Sequence, residues 1–321
     1  MKATFLAGVV AGCLLLPAAL SAQPVGPAKT GAFTAEGPKL CLSCHDDVKI
    51  AQILQTPHAV KGNAQSPFGQ HGCESCHGPA DDHVHNRYEP PPVVFKKGPK
   101  QSPVAARNEK CLACHQSGLR MNWQGSQHAS NDVACNDCHS VHVTKDPVLV
   151  KLTQPAICFT CHQDRRADSY KYSHHPIREG KVVCSDCHNP MGSAGPRLLK
   201  EVTVNEVCYN CHAEKRGPFL FEHAPVRENC LNCHNPHGSP EARLLILRAP
   251  YLCQNCHDNN THAAPPYGAG ALPGATYTPR VGTAAGLAQM AARYQLMLRG
   301  CVNCHSEVHG SNSPAGGFKQ R

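Results

Sequence analysis

"SHHPIREGKVVCSDCHNPMG", residues 173–192, and "CLNCHNPHG", residues 230–238, share a Cys-x-x-Cys-His followed by Asn-Pro-x-Gly. The first carries Met191 where the second carries His237, and it is preceded by two adjacent histidines, His174 and His175. The meaning of that exchange depends on what the pentapeptide does. Cys-x-x-Cys-His attaches a c-type haem: both thiols form thioethers with the vinyl groups, and the adjoining His ligates the iron.

The pentapeptide occurs ten times. Its residues are Cys41, Cys44, His45; Cys73, Cys76, His77; Cys111, Cys114, His115; Cys135, Cys138, His139; Cys158, Cys161, His162; Cys184, Cys187, His188; Cys208, Cys211, His212; Cys230, Cys233, His234; Cys253, Cys256, His257; and Cys301, Cys304, His305. Zinc ribbons and disulfide frameworks also use paired cysteines, but neither requires His after every second Cys. Ten covalent haems, with the ten motif histidines as proximal iron ligands, account for 20 of the 21 cysteines.

The remaining one, Cys13, lies in "MKATFLAGVVAGCLLLPAALSAQPV". A basic start, a short apolar run and small residues near Ala22 predict a secretory signal peptide over residues 1–22. Export to the periplasm suits a protein whose thiols are joined to haem outside the cytoplasmic membrane. No later stretch is apolar enough for a membrane helix.

About 300 mature residues leave roughly thirty per haem, so porphyrin supplies the core. Aromatic residues are 5% of the chain, with 26 Gly and 27 Pro. The predicted fold is mainly short α-helices and irregular loops wrapped around a linear ten-haem array, with little or no β-sheet. The formal charge of +8 misleads, because each haem adds two propionates. Ten ferric haems would bring the mature chain to about −3 and ten ferrous haems to about −13, which excludes a basic nucleic-acid binder.

First-Cys spacings are 32, 38, 24, 23, 26, 24, 22, 23 and 48 residues. A two-haem unit therefore recurs from 111, 158 and 208. Proline-rich segments at 88–103 and 263–280 read as extended surface loops, linkers or docking surfaces. Residues 283–300 show the clearest helical periodicity, with an apolar stripe read as packing and Gly300 as its stop.

Twelve histidines lie outside the motifs. The repeat points to His128, His142, His174, His175, His223 and His237 as distal iron ligands; His58, His83, His262 and His309 complete ten, leaving His71 and His85 as spares. Adjacent residues of an extended chain point to opposite sides, so His174 and His175 could serve two haems, one replacing the trailing His lost at Met191. Alternatives use His71 with one of that pair, or ligate Met191, which would raise one haem's potential. A haem with two strong protein ligands offers no open position to a substrate, so these haems pass electrons. A multihaem reductase would need an open haem, often marked by Cys-x-x-Cys-Lys, and the chain has none.

The motif count, "FGQHGCESCHGPADDH", "HHPIREGKVVCSDCHNP" and the closing "GCVNCHSEVHGSNSPAGGF" together resemble the DmsE/MtrA family of decahaem cytochromes. The resemblance implies an elongated haem wire of two related pentahaem halves, here 23–170 and 171–321, inserted in an outer-membrane β-barrel porin. It would move electrons between periplasm and exterior. Implied partners are that porin, periplasmic or inner-membrane c-type cytochromes and, in some members, an extracellular multihaem cytochrome. Members serve outward respiration on metal oxides or dimethyl sulfoxide, or carry electrons inward from ferrous iron. Relatives commonly carry Asn-Pro-His-Gly where this chain has Met191. A soluble periplasmic shuttle and a polymerising extracellular cytochrome would share every ligand argument.

Overall fold

The computed structural model describes residues 31–257, 301–303 and 305–314. The expected signal peptide, the 263–280 segment, the 283–300 helix, His262 and Cys304 lie outside them.

Among the described residues there is no strand, only helices of nine residues or fewer joined by turns. Four isolated β-bridges, including His188 to Leu199 and His234 to Leu245, are the only sheet-like pairings there. The architecture is one of short helices and loops around a common interior. Proline opens several of the helices at their first turn, as in Pro38–Cys44 and Gln154–Cys158, and Gly78 ends Glu74–His77; the motif itself supplies a single helical turn. In all ten motifs the His amide donates to the first Cys carbonyl at 2.9–3.0 Å. That bond holds the two thiols and the imidazole on one turn, as thioether attachment to one porphyrin requires.

Odd and even motifs sit differently. Motifs one, three, five, seven and nine fall at the C-terminal ends of helices such as Val104–Leu112 and Val204–Tyr209. Motifs two, four and six lie on one-turn helices at Glu74–His77, Cys135–Cys138 and Cys184–Cys187, and motif eight on the 3-10 turn Cys230–Asn232. Side-chain amides join the helices of motifs three, five and seven to the even motif that follows each. Buried Asn108 accepts from the Cys135 amide and buried Asn205 from the Cys230 amide, both at 2.8 Å. Gln154 does the same for Ser185 at 3.0 Å.

The buried apolar residues are small and scattered: Ile53, Phe68, Ala80, Val93, Trp123, Ala134, Val148, Val183 and Val207. They form no layered core, because the interior belongs to a long cavity. The proline-rich 88–103 segment departs from the surface-loop expectation. Val93 is buried, its amide donates to the His77 carbonyl, and its own carbonyl lies 3.1 Å from His77 Nδ1. The segment is extended, but one face of it is committed to motif two.

Candidate haem row

The cavity measures about 5900 Å³, several times the roughly 300–1,000 Å³ of an ordinary ligand pocket. Every described motif cysteine and histidine lines it. So do His58, His83, His128, His142, His175, His223, His237 and His309, together with Met191.

Across this cavity the histidine rings stand in pairs. The pairs are His45 with His83, His58 with His115, His77 with His142 and His128 with His162. They continue with His175 and His212, His188 and His237, His223 and His257, and His234 and His309. Centroid separations span 6.0–6.4 Å. Two metal–imidazole bonds of about 2 Å each fill most of that span, leaving only the two half-rings. Direct ring packing would not hold eight pairs at one separation with interplanar angles from 11° to 78°; an iron atom held between the two rings of each pair would.

The outer ring nitrogens are engaged as second partners of a metal ligand should be. Nδ1 of His83, His128, His142, His175 and His223 meets the carbonyl of Glu89, Pro190, Ile50, Pro236 and Val308 at 2.7–3.2 Å. That leaves Nε2 for iron. Burial lowers the pKa of His77, His188 and His309, and brings that of His237 down to about 4. These rings stay neutral, the form that ligates metal.

The thiols order the sites. The side chains of Cys41 and Cys73, of Cys111 and Cys135, of Cys158 and Cys184, of Cys208 and Cys230, and of Cys253 and Cys301 lie side by side. Between those pairs, Cys76 lies within electrostatic reach of Cys114, Cys138 of Cys161, Cys187 of Cys211 and Cys233 of Cys256. Consecutive motifs are therefore neighbours from the first to the last, and the row passes through the 170/171 position without a gap in the Cys158 to Cys184 step.

The cavity also suits the acid edges of porphyrin. Lys96, Lys97, Lys100, Arg165 and Lys200 line it, as does Arg120, whose buried Nε has no protein partner. Cationic side chains along the haem space fit propionate oxygens. The sequence reading missed these cations, since nothing in their spacing separates them from ordinary surface charge.

Among the described residues, three non-motif histidines are absent from the cavity lining. His71 stacks on Phe33 at 3.8 Å, and His85 is exposed with Nδ1 on the Asp81 carbonyl. His174 departs from the distal-ligand expectation: Nδ1 meets the Lys171 carbonyl at 2.7 Å and Nε2 faces Glu179 at 3.4 Å. The alternation invoked for His174 and His175 is real, but only the His175 side faces the cavity.

Comparison with known proteins agrees with this geometry. Residues 174–217 and 223–262 match the doubled CXXCH motif, and residues 73–154 match the cytochrome c-type protein NrfB-like family. The multiheme cytochrome MtrA of Shewanella baltica is 43% identical over 294 residues, covering 91% of this chain and 83% of that protein. This chain belongs to the MtrA family of multihaem cytochromes. MtrA-family membership and the paired motifs together mean covalently bound haem c and a role in electron transfer. Shorter matches reach the cytochrome c-type protein NrfB of Escherichia coli, 25% identical over 52% of this chain and 90% of that one. The high-molecular-weight cytochrome c of Nitratidesulfovibrio vulgaris is 27% identical over 50% of this chain and 27% of that one. Among the described residues no helix is long and apolar enough to cross a membrane.

Proposed function

We propose that this chain is a decahaem electron conduit, carrying electrons between periplasm and cell exterior within an outer-membrane β-barrel. The observation that carries the reading is the unbroken neighbour relation of motifs one to ten, combined with paired imidazoles at eight of them. Each haem would supply a one-electron carrier; the chain's part is to fasten it, fix both axial rings, exclude water from its faces and meet its propionates with Lys and Arg. With two imidazoles opposite one another, no coordination position is left for a substrate, which supports a carrier and not an enzyme. His305 lines the same cavity, and His262 is proposed as its distal partner.

The barrel, the periplasmic cytochromes and any extracellular partner rest on MtrA-family membership, as does export by the 1–22 segment. The two pentahaem halves, 23–170 and 171–321, are proposed as segments of one continuous row.

The test is reconstitution of the purified chain, with the membrane protein that copurifies, into liposomes holding a trapped redox dye and facing a membrane-impermeant reductant. Dye reduction that needs both components is the expected outcome. A fully haem-loaded chain that stays soluble and reduces no dye would move the assignment to a periplasmic shuttle, the reading favoured by the NrfB-like match over 73–154.

A further inference from the structure

We infer that the haem of motif four is ligated by His139 and Met191, with Asp146 holding His139, so that one interior site of the row differs electronically from its bis-histidine neighbours. The inference rests on the ten-haem reading.

The pairing register assigns the ligand. For even motifs, the distal ring comes from the segment that trails the motif two further on. His142, after motif four, pairs with His77 of motif two; His237, after motif eight, pairs with His188 of motif six; His309, after motif ten, pairs with His234 of motif eight. The slot left in this series is the one trailing motif six, and its target is His139. Met191 occupies that slot. Among the described residues no histidine ring is paired with His139, while both His139 and Met191 line the cavity.

Local geometry supports the equivalence. Asn189 and Asn235 each accept the amide two residues on, from Met191 and from His237, at 3.3 Å. The intervening Pro190 and Pro236 carbonyls meet Nδ1 of His128 and His175 at 2.8 and 2.7 Å. Gly192 and Gly238 have φ of 109° and 155°, and each is pressed against a backbone carbonyl, of Asn122 and Asp168. Met191 is thus fastened at three consecutive residues as His237 is, and its thioether is a soft neutral donor suited to haem iron. His174 cannot fill the slot, since it lies off the cavity with its ring nitrogens facing Lys171 and Glu179.

The proximal side is also distinct. In the other even motifs of the central row, Nδ1 of His77, His188 and His234 meets a backbone carbonyl, of Val93, Arg197 and Arg243. His139 instead meets a carboxylate, Asp146 Oδ2, at 2.6 Å. Asp146 is itself held by the amides of Ser140 and Val148 at 3.2 and 3.4 Å. A carboxylate on Nδ1 strengthens the imidazole as a donor and favours the ferric state; a thioether opposite favours the ferrous state and raises the potential. Met191 and Asp146 therefore pull one haem in opposite directions, and Asp146 acts as a positioning residue.

The experiment compares the haem-loaded chain with M191H, D146N and H174A variants, using mass spectrometry, near-infrared magnetic circular dichroism of the ferric state and potentiometry. The expected result is ten haems throughout and one thioether-to-iron charge-transfer signature in the parent and in H174A. M191H converts that signature to bis-histidine and lowers one potential. D146N keeps it and raises the same potential, which a merely structural carboxylate would not do. Ten haems without a thioether signature, or a bis-histidine signal lost in H174A, overturns the inference and leaves the conduit intact. Fewer than ten haems in the parent strikes the underlying reading instead.

Discussion

At the residue scale, the choice between His174 and His175 shows where sequence reading stops. Alternation in an extended stretch puts neighbours on opposite sides, but which side is interior depends on a carbonyl 61 residues away, that of Pro236, which receives His175 Nδ1. His71 raises the same difficulty. It sits two residues before a haem motif, and only its stack on Phe33 shows that it is committed elsewhere. The motif residues were legible because their chemistry is local, whereas distal partners are fixed by long-range packing. His175→Met should therefore change the spectrum of one haem and raise its potential with all covalent haems retained. His71→Ala and His174→Ala should leave every haem signal in place. Magnetic circular dichroism of the three variants checks both, and a bis-histidine signal lost on replacing His71 would contradict its placement.

At the element scale, short helices followed from composition and motif density, while the joints between them did not. The decisive joints are buried amides on a helix that receive the amide of the next motif, as Asn205 does for Cys230. Asn205 also donates to the Val226 and Arg227 carbonyls at 2.9 Å. Asn205→Leu would leave three backbone groups without their partner, at a cost of about 1–3 kcal/mol for each one that stays buried and unsatisfied. Denaturant unfolding of the haem-loaded variant should show a lowered midpoint. A second joint is the turn at Arg243 and Leu244, where both residues have positive φ, 60° and 58°. Its Arg243 carbonyl receives His234 Nδ1 at 2.8 Å, so local strain serves to orient a proximal ligand. Arg243→Gly should relieve about 1 kcal/mol of that strain, offset in part by the greater backbone freedom of glycine when unfolded. Its unfolding midpoint should thus stay level or rise slightly, while a marked drop would mean that the arginine side chain itself holds the turn. The two-residue turn recurs at Arg197 and Leu198, but the sequence carries no glycine there to announce it.

At the scale of the whole molecule, sequence order becomes spatial order. The spacing of the motifs predicted a repeat and a linear array; the alternating thiol contacts give that array its sequence of neighbours. Each motif lies close to its predecessor and its successor, from Cys41 to Cys301, so a current confined to consecutive motifs would have no bypass. Removing an interior carrier should therefore do more than remove a tenth of the haem. Replacing Cys158 and Cys161 with Ala deletes the attachment of motif five, between the Cys138 and Cys184 neighbours, and the gap should exceed the distance over which adjacent haems exchange electrons efficiently. In the liposome assay, the nine-haem variant should still assemble with its membrane partner yet fail to reduce the trapped dye. Replacing Cys41 and Cys44 removes only an end of the row, so transfer should persist, slowed at the exchange with the partner that docks there. Haem counting and copurification separate these outcomes from failure to fold. If the interior deletion transfers electrons as fast as the parent, the motifs do not form a single series, and the neighbour relation traced by the cysteines is not the path of the current.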